Sequence, residues 1–104
     1  MKIVIVDDNS LLVETIRMYL EDKGYEVVSF LSPHKALYHC LHSHFDLLIT
    51  DLSMDGMDGI ELADRVKEDK PNARIMLISG HFDEEAENQK AAFAIPFDGT
   101  LSNP

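Results

Sequence analysis

With 104 residues the chain supports one domain, spanning 1–104, large enough for a core but small for an α/β sheet. Hydrophobic residues make up 45% and charged ones 27%, a globular rather than disordered balance. The formal net charge of -10 argues against nucleic acid as a direct partner, since phosphate backbones demand clustered Lys and Arg; it fits a cation-dependent site or a basic protein partner.

No apolar run approaches the length of a membrane span, and the first residues lack the basic-then-apolar layout of a signal peptide. No membrane contact is expected, and the cytoplasm is the expected compartment. Cys40 is the single cysteine, which excludes an intrachain disulfide.

Residues 3–6 form an apolar run that reads as a strand buried on both faces, and it ends in Asp7, Asp8 and Asn9. Asn9 or Ser10 is placed to cap a helix. Leu12, Ile16, Tyr19 and Leu20 fall on one face of that helix, and Gly24 stops it. Val27 and Val28 mark a short strand. Ser32 and Pro33 are a cap followed by proline in the first helical position. Leu37, Cys40, Leu41 and His44 carry the second helix onward.

A further apolar run, Leu47 to Ile49, stops at Asp51. A loop with Gly56 and Gly59 follows. Ile60, Ala63 and Val66 then mark a third helix, closed by Lys70, Pro71 and Asn72. Ile75 to Ile78 is a fourth strand, ending at Ser79 and Gly80.

Strands alternating with helices over short connections predict a parallel, doubly wound sheet. Its strands end on one edge, where open α/β folds place their ligand chemistry. Asp7, Asp8, Asp51 and Ser79 would meet there. Three carboxylates that close repel one another unless some are protonated or a cation sits among them. Oxygen ligands without thiol or imidazole favour a hard ion such as Mg2+. Such an ion beside a carboxylate and a hydroxyl suits phosphoryl transfer, with Asp51 as nucleophile and Asp8, helped by Asp7 through water, holding the metal. Isolated acids at strand ends are often mere loop solvation; three on one edge is the stronger coincidence.

Together these residues resemble a known family. Asp7, Asp8 and Asn9 after the first strand, Asp51 to Gly59 after the third, and Ser79 and Gly80 after the fourth are similar to the receiver domain of bacterial response regulators. The resemblance implies a flavodoxin-like sheet of order 2-1-3-4-5. It implies that Asp51 takes a phosphoryl group from a phosphohistidine on a sensor kinase or phosphotransfer protein. It implies Mg2+ held by Asp8, Asp51 and the Ser53 backbone carbonyl, with Asp7 acting through water. Ser79 would supply the switch hydroxyl.

The sequence also departs from that pattern. Aligning Pro96 with the usual Lys-Pro puts Ile95 where the lysine belongs; the nearest lysine is Lys90. Asp55 replaces the proline usual after the phosphoacceptor. The fourth helix, from Asp83 to Ala92, is shortened and offers mostly alanines to the core, and the last helix, beginning near Asp98, is missing or one turn long. The sheet face around strands one, three and four would then be bare. A homodimer or higher oligomer is expected to cover it, with exchange of C-terminal segments as one route.

Two other functions compete. A degenerate receiver would signal by binding, without stable phosphorylation. A small-molecule enzyme on this fold is the weaker alternative: a nucleotide site wants a glycine-rich loop where Asp7 and Asp8 stand, and an aspartyl phosphatase wants an acid where Ser53 stands. The expected protein is therefore no turnover enzyme, although it assists its own phosphorylation and dephosphorylation. His39 with His42, and Cys40 with His44, have helical spacings that suit a transition metal, but a solvated helix face is the commoner outcome. His81 is an exposed loop residue that could overhang the phosphorylation site.

Overall fold

The computed structural model describes the backbone of residues 1–79 and 93–96, and the side chains of residues 1–78. The strands are β1 (Lys2–Val6), β2 (Glu26–Phe30), β3 (Leu47–Asp51), β4 (Ile75–Ser79) and β5 (Phe93–Pro96). The helices are α1 (Ser10–Asp22), α2 (Pro33–His42) and α3 (Gly59–Asp69). The sheet order is β2-β1-β3-β4-β5. β2, β1, β3 and β4 run parallel, as the alternating elements predict.

The apolar runs divide between two faces by the two-residue period of a strand. Ile3, Ile5, Ile49 and Ile78 pack with Leu12 and Val13 of α1. Val4, Val6, Leu48 and Ile75 pack with Ala36 and Cys40 of α2 and Leu62, Ala63 and Val66 of α3. Helices on both faces leave the central strands no solvated side, so their sequences are continuously apolar rather than alternating.

β5 differs from the expected all-parallel sheet. It runs antiparallel to β4, with Ser79 opposite Phe93, Leu77 opposite Ile95 and Met76 opposite Pro96. A parallel return needs a crossover of roughly a dozen residues or more, usually with a helix, whereas an antiparallel pair needs only a short connection. The span 80–92 is at the short limit for a crossover. The shortened fourth helix from Asp83 to Ala92, the last helix, His81 and Lys90 lie outside the described residues.

The helix faces also differ from the expected stripes. In α1, Val13 is buried, whereas Tyr19 is 61% exposed. In α3, Ile60 is exposed, and the inward face is Gly59, Leu62, Ala63 and Val66. α2 ends at His42, so His44 lies beyond it and exposed. In α1 and α3 the difference lies at the edges of the stripe, which a 3.6-residue repeat leaves open until the sheet sets the angle; in α2 it lies in the earlier end of the helix. On the face expected to be bare, Ile5, Ile49 and Ile78 are buried, whereas Leu47 and Met76 are half-buried.

The caps follow the sequence. Asn9 Oδ1 accepts from the Leu11 and Leu12 amides at 3.1 and 3.2 Å. Ser32 Oγ accepts from Lys35 N, and Pro33 opens α2. Gly24 adopts φ +97° just after α1, where an L side chain would be strained.

The end of α2 is held less locally. Ser43, not glycine, follows it. Lys70, just past α3, donates from Nζ to the carbonyls of Cys40 (2.7 Å) and Ser43 (2.8 Å) and lies over the Phe45 ring. A cation here satisfies carbonyls at the negative end of the helix dipole. Lys70→Met keeps most of the stem and removes the charge. It is expected to cost about 2 kcal/mol, the scale of hydrogen bonds to a charged group. An unchanged urea midpoint would show that water replaces the ammonium without loss.

Candidate functional site

The parallel strands bring their carboxyl ends to one edge. β1 ends at Val6 and hands directly to Asp7, whose amide bonds to the Phe30 carbonyl of β2 at 3.2 Å. Asp51 is the last residue of β3, and its register partner on β4 is Ile78. The next amide, Leu52 N, donates to the Ile78 carbonyl at 3.0 Å. Asp7, Asp8 and Asp51 can each present a carboxylate oxygen so that all lie within 4.8 Å of one another. Among the described residues this is the one group of three or more such side chains close enough to share a cation.

Burial distinguishes the three. Asp7 is 1% exposed and Asp51 8%, whereas Asp8 is exposed. Asp7 Oδ1 accepts from Asn9 N at 3.0 Å, but its Oδ2 is buried with no hydrogen-bond partner. Burial pushes the Asp7 carboxyl up to about 6; the Asn9 amide opposes this, while the charges of Asp51 and Asp8 add to it. An orphaned carboxylate oxygen in an all-oxygen cluster matches a hard cation such as Mg2+.

The loop after β3 supplies the rest. Ser53 lies in it, exposed. The Asp55 amide donates to Asp8 Oδ2 at 3.3 Å, drawing together the two loops that flank the cluster. A proline at 55 would have no such N–H. Gly56 takes φ +94°, and Gly59 starts α3 with its amide on the Leu52 carbonyl at 2.9 Å. A Cβ on Gly59 would lie 2.1 Å from the Asp51 carbonyl oxygen. Gly59 was therefore legible as a turn residue, but its tight approach to the Asp51 backbone was not. Asp58 caps α3, accepting from Glu61 N at 2.8 Å.

Ser79 ends β4 one residue beyond the partner of Asp51, so its backbone stands at the same edge. Ile95 is opposite Leu77, two residues back from Ser79, and the residue beside Ser79 is Phe93. The position aligned with the usual lysine is thus set back from the carboxylate edge.

The histidine and cysteine spacings do not assemble a metal site. Cys40 is fully buried, and burial pushes its thiol up to about 12. His39 packs toward Phe30, His42 stacks on Tyr38, and His44 faces Asp46 at 3.3 Å.

The response regulator receiver domain model matches residues 3–103. This chain belongs to the response regulator receiver domain family. The transcriptional regulatory protein ResD of Bacillus subtilis is 37% identical over 76 residues, covering 73% of this chain and 32% of ResD. The receiver protein CpdR of Brucella abortus is 37% identical over 79 residues, covering 76% of this chain and 66% of CpdR. The receiver domain here thus spans about a third of ResD. Among solved structures, the response regulator TrrA of Thermotoga maritima, in complex with Mg2+ and BeF, superposes with TM-score 0.74 at 30% identity, over 77% of this chain and 70% of that one. The receiver family is a two-component signalling family, and the strand order and carboxylate edge found here fit it.

Proposed function

We propose that this receiver domain accepts a phosphoryl group on Asp51 from the phosphohistidine of a sensor kinase or phosphotransfer protein. The observation that carries this reading is the buried Asp51 beside Asp7, whose orphaned Oδ2 asks for a cation. Asp8, Asp51 and the Ser53 carbonyl would hold Mg2+ directly, and Asp7 through water. Bound there, the ion neutralises charge on the phosphoryl oxygens.

The chain's own part is positioning. β3 fixes the Asp51 carboxylate at the sheet edge, where one oxygen forms the new O–P bond as the P–N bond to imidazole breaks. The imidazole leaves with the N–P electron pair. Asp55 N–H steadies Asp8, and Gly59 lets α3 begin against the Asp51 backbone. Ser79 would move to meet the phosphoryl oxygen and report its arrival. The domain works as a switch in the cytoplasm rather than as a turnover enzyme. Among the described residues no helix is long and apolar enough to cross a membrane. The net charge of -10 gives no reason for this domain to touch nucleic acid.

Acetyl phosphate with Mg2+ is expected to yield a slower band on Phos-tag electrophoresis. Asp51→Asn should lose that band and Asp8→Ala should lose the metal response. Undiminished labelling of Asp51→Asn would refute the assignment. The second reading, a degenerate receiver, draws on Ile95 and the antiparallel β5; an unlabelled wild type under those conditions would favour it.

Assembly belongs to the same reading. Leu47 and Met76 are only half-buried on the α1 face, which a second copy of the chain could cover with or without exchanged C-terminal segments. Light scattering over a dilution series is expected to show a homodimer or higher oligomer. A monomer at high micromolar concentration with no dye-accessible apolar surface would show that each chain closes its own sheet.

A further inference from the structure

Away from the carboxylate edge, the outer face of α2 has a chemistry opposite to that of the chain as a whole. α2 contains no acid; it carries His34, Lys35, His39 and His42. By contrast α1 and α3 both carry several carboxylates, and the chain has a formal net charge of -10. Phe30, at the end of β2, and the α2 residues His34, Lys35, Tyr38, His39 and His42 line an open groove of about 450 Å3.

The groove has preset walls. The His42 ring stacks on Tyr38 at 4.1 Å with 25° between planes. His42 Nδ1 donates to the Tyr38 carbonyl at 2.8 Å; a carbonyl can only accept, so this nitrogen carries the proton. The His39 ring lies 5.3 Å from Phe30. Tyr38 nevertheless remains 66% exposed. An exposed aromatic already fixed by a ring partner loses little side-chain freedom on binding, which is what an anchoring residue needs.

We propose that this groove docks an acidic peptide segment of a partner protein, seated by one aromatic or aliphatic anchor. Charge complementarity selects the partner: this face offers the Lys35 ammonium with no carboxylate on its helix, the imidazoles add polar hydrogen-bonding edges, and an acidic chain is repelled over most of the rest. Shape selects a peptide. His34, Tyr38 and His42 follow one another at four-residue intervals, so the groove runs about 12 Å along the helix. That length takes roughly four residues of an extended segment. A basic segment would instead be drawn to the carboxylate edge. The proposal is independent of phosphorylation at Asp51.

The test is a display selection of random twelve-residue peptides on the full chain at low salt. Enriched sequences should place Asp or Glu around a Phe, Tyr, Trp or Leu. Their binding should weaken about tenfold or more in the Lys35→Glu/His42→Glu double variant and in 0.5 M NaCl, consistent with a largely electrostatic contribution. Tyr38→Ser should weaken binding without changing that salt dependence. Both variants alter exposed side chains, and circular dichroism checks their fold. Amide shifts on adding a selected peptide should centre on residues 30–43. The proposal is overturned if no acidic sequences are enriched, if the double variant binds them equally, or if the shifts centre elsewhere.

Discussion

Gly59→Ala is expected to destabilise this domain by on the order of 3 kcal/mol, although alanine is the better helix former. The position is the first residue of α3 and is buried. A Cβ there would meet the Asp51 carbonyl oxygen at 2.1 Å, the Asp51 carbonyl carbon at 3.0 Å and Leu52 Cα at 3.1 Å. All three are backbone atoms, so no side chain can rotate away. Either α3 moves outward or the end of β3 does. Moving α3 breaks the 2.9 Å bond from Gly59 N to the Leu52 carbonyl. Moving β3 displaces Asp51 itself. The gain from helix propensity is at most about 1 kcal/mol, and less at a helix start, so the clash wins. A lower urea midpoint together with weaker Mg2+ binding is the expected pair of results. A variant as stable as wild type would show that the junction shifts freely.

Removing the charge of Asp7 should act in the opposite direction. Its carboxyl is raised from the ordinary 3.8 to about 6 in the folded chain. Below pH 3.8 it is protonated whether the chain is folded or not, and it contributes nothing. As pH climbs from 3.8 to about 6, the unfolded chain releases this proton first, so the metal-free fold loses stability. Above about 6 the full penalty is present, on the order of 3 kcal/mol at one pKa unit per 1.36 kcal/mol.

Asp7→Asn keeps an oxygen for the Asn9 amide and places an NH2 beside the other two carboxylates. In the presence of a chelator it should be more stable than wild type at pH 7, by about 2 to 3 kcal/mol, with the difference gone near pH 4. Added Mg2+ should raise the wild type more than the variant, since binding to the folded state alone stabilises it. Parallel stability profiles from pH 4 to 7 would refute the account. So would an equal response to Mg2+.

The sequence by itself determined the main lines of this protein. Apolar runs of a few residues, separated by helical stripes, admit one economical arrangement: a parallel sheet buried on both faces. The acids that end β1 and β3 stand where such a sheet must gather them. Asn9, Ser32 and Gly24 announced helix ends through local backbone chemistry, which needs no knowledge of distant residues. Asp51 could be singled out because a carboxylate closing a buried strand is costly unless something compensates it.

Other features belong to the tertiary structure because they depend on pairs far apart in the chain. Tyr19 and Ile60 lie at the margins of their stripes, and only the angle at which each helix meets the sheet decided that they face outward. Lys70 reaches carbonyls near the end of α2, a contact that no local pattern announces. The Asp55 amide meets Asp8 across two loops. β5 pairs antiparallel with β4, a direction that the four residues of the strand do not announce. Gly59 is the sharpest case: its sequence says only that a turn is near, while the space that excludes any larger residue is created by the backbone of Asp51.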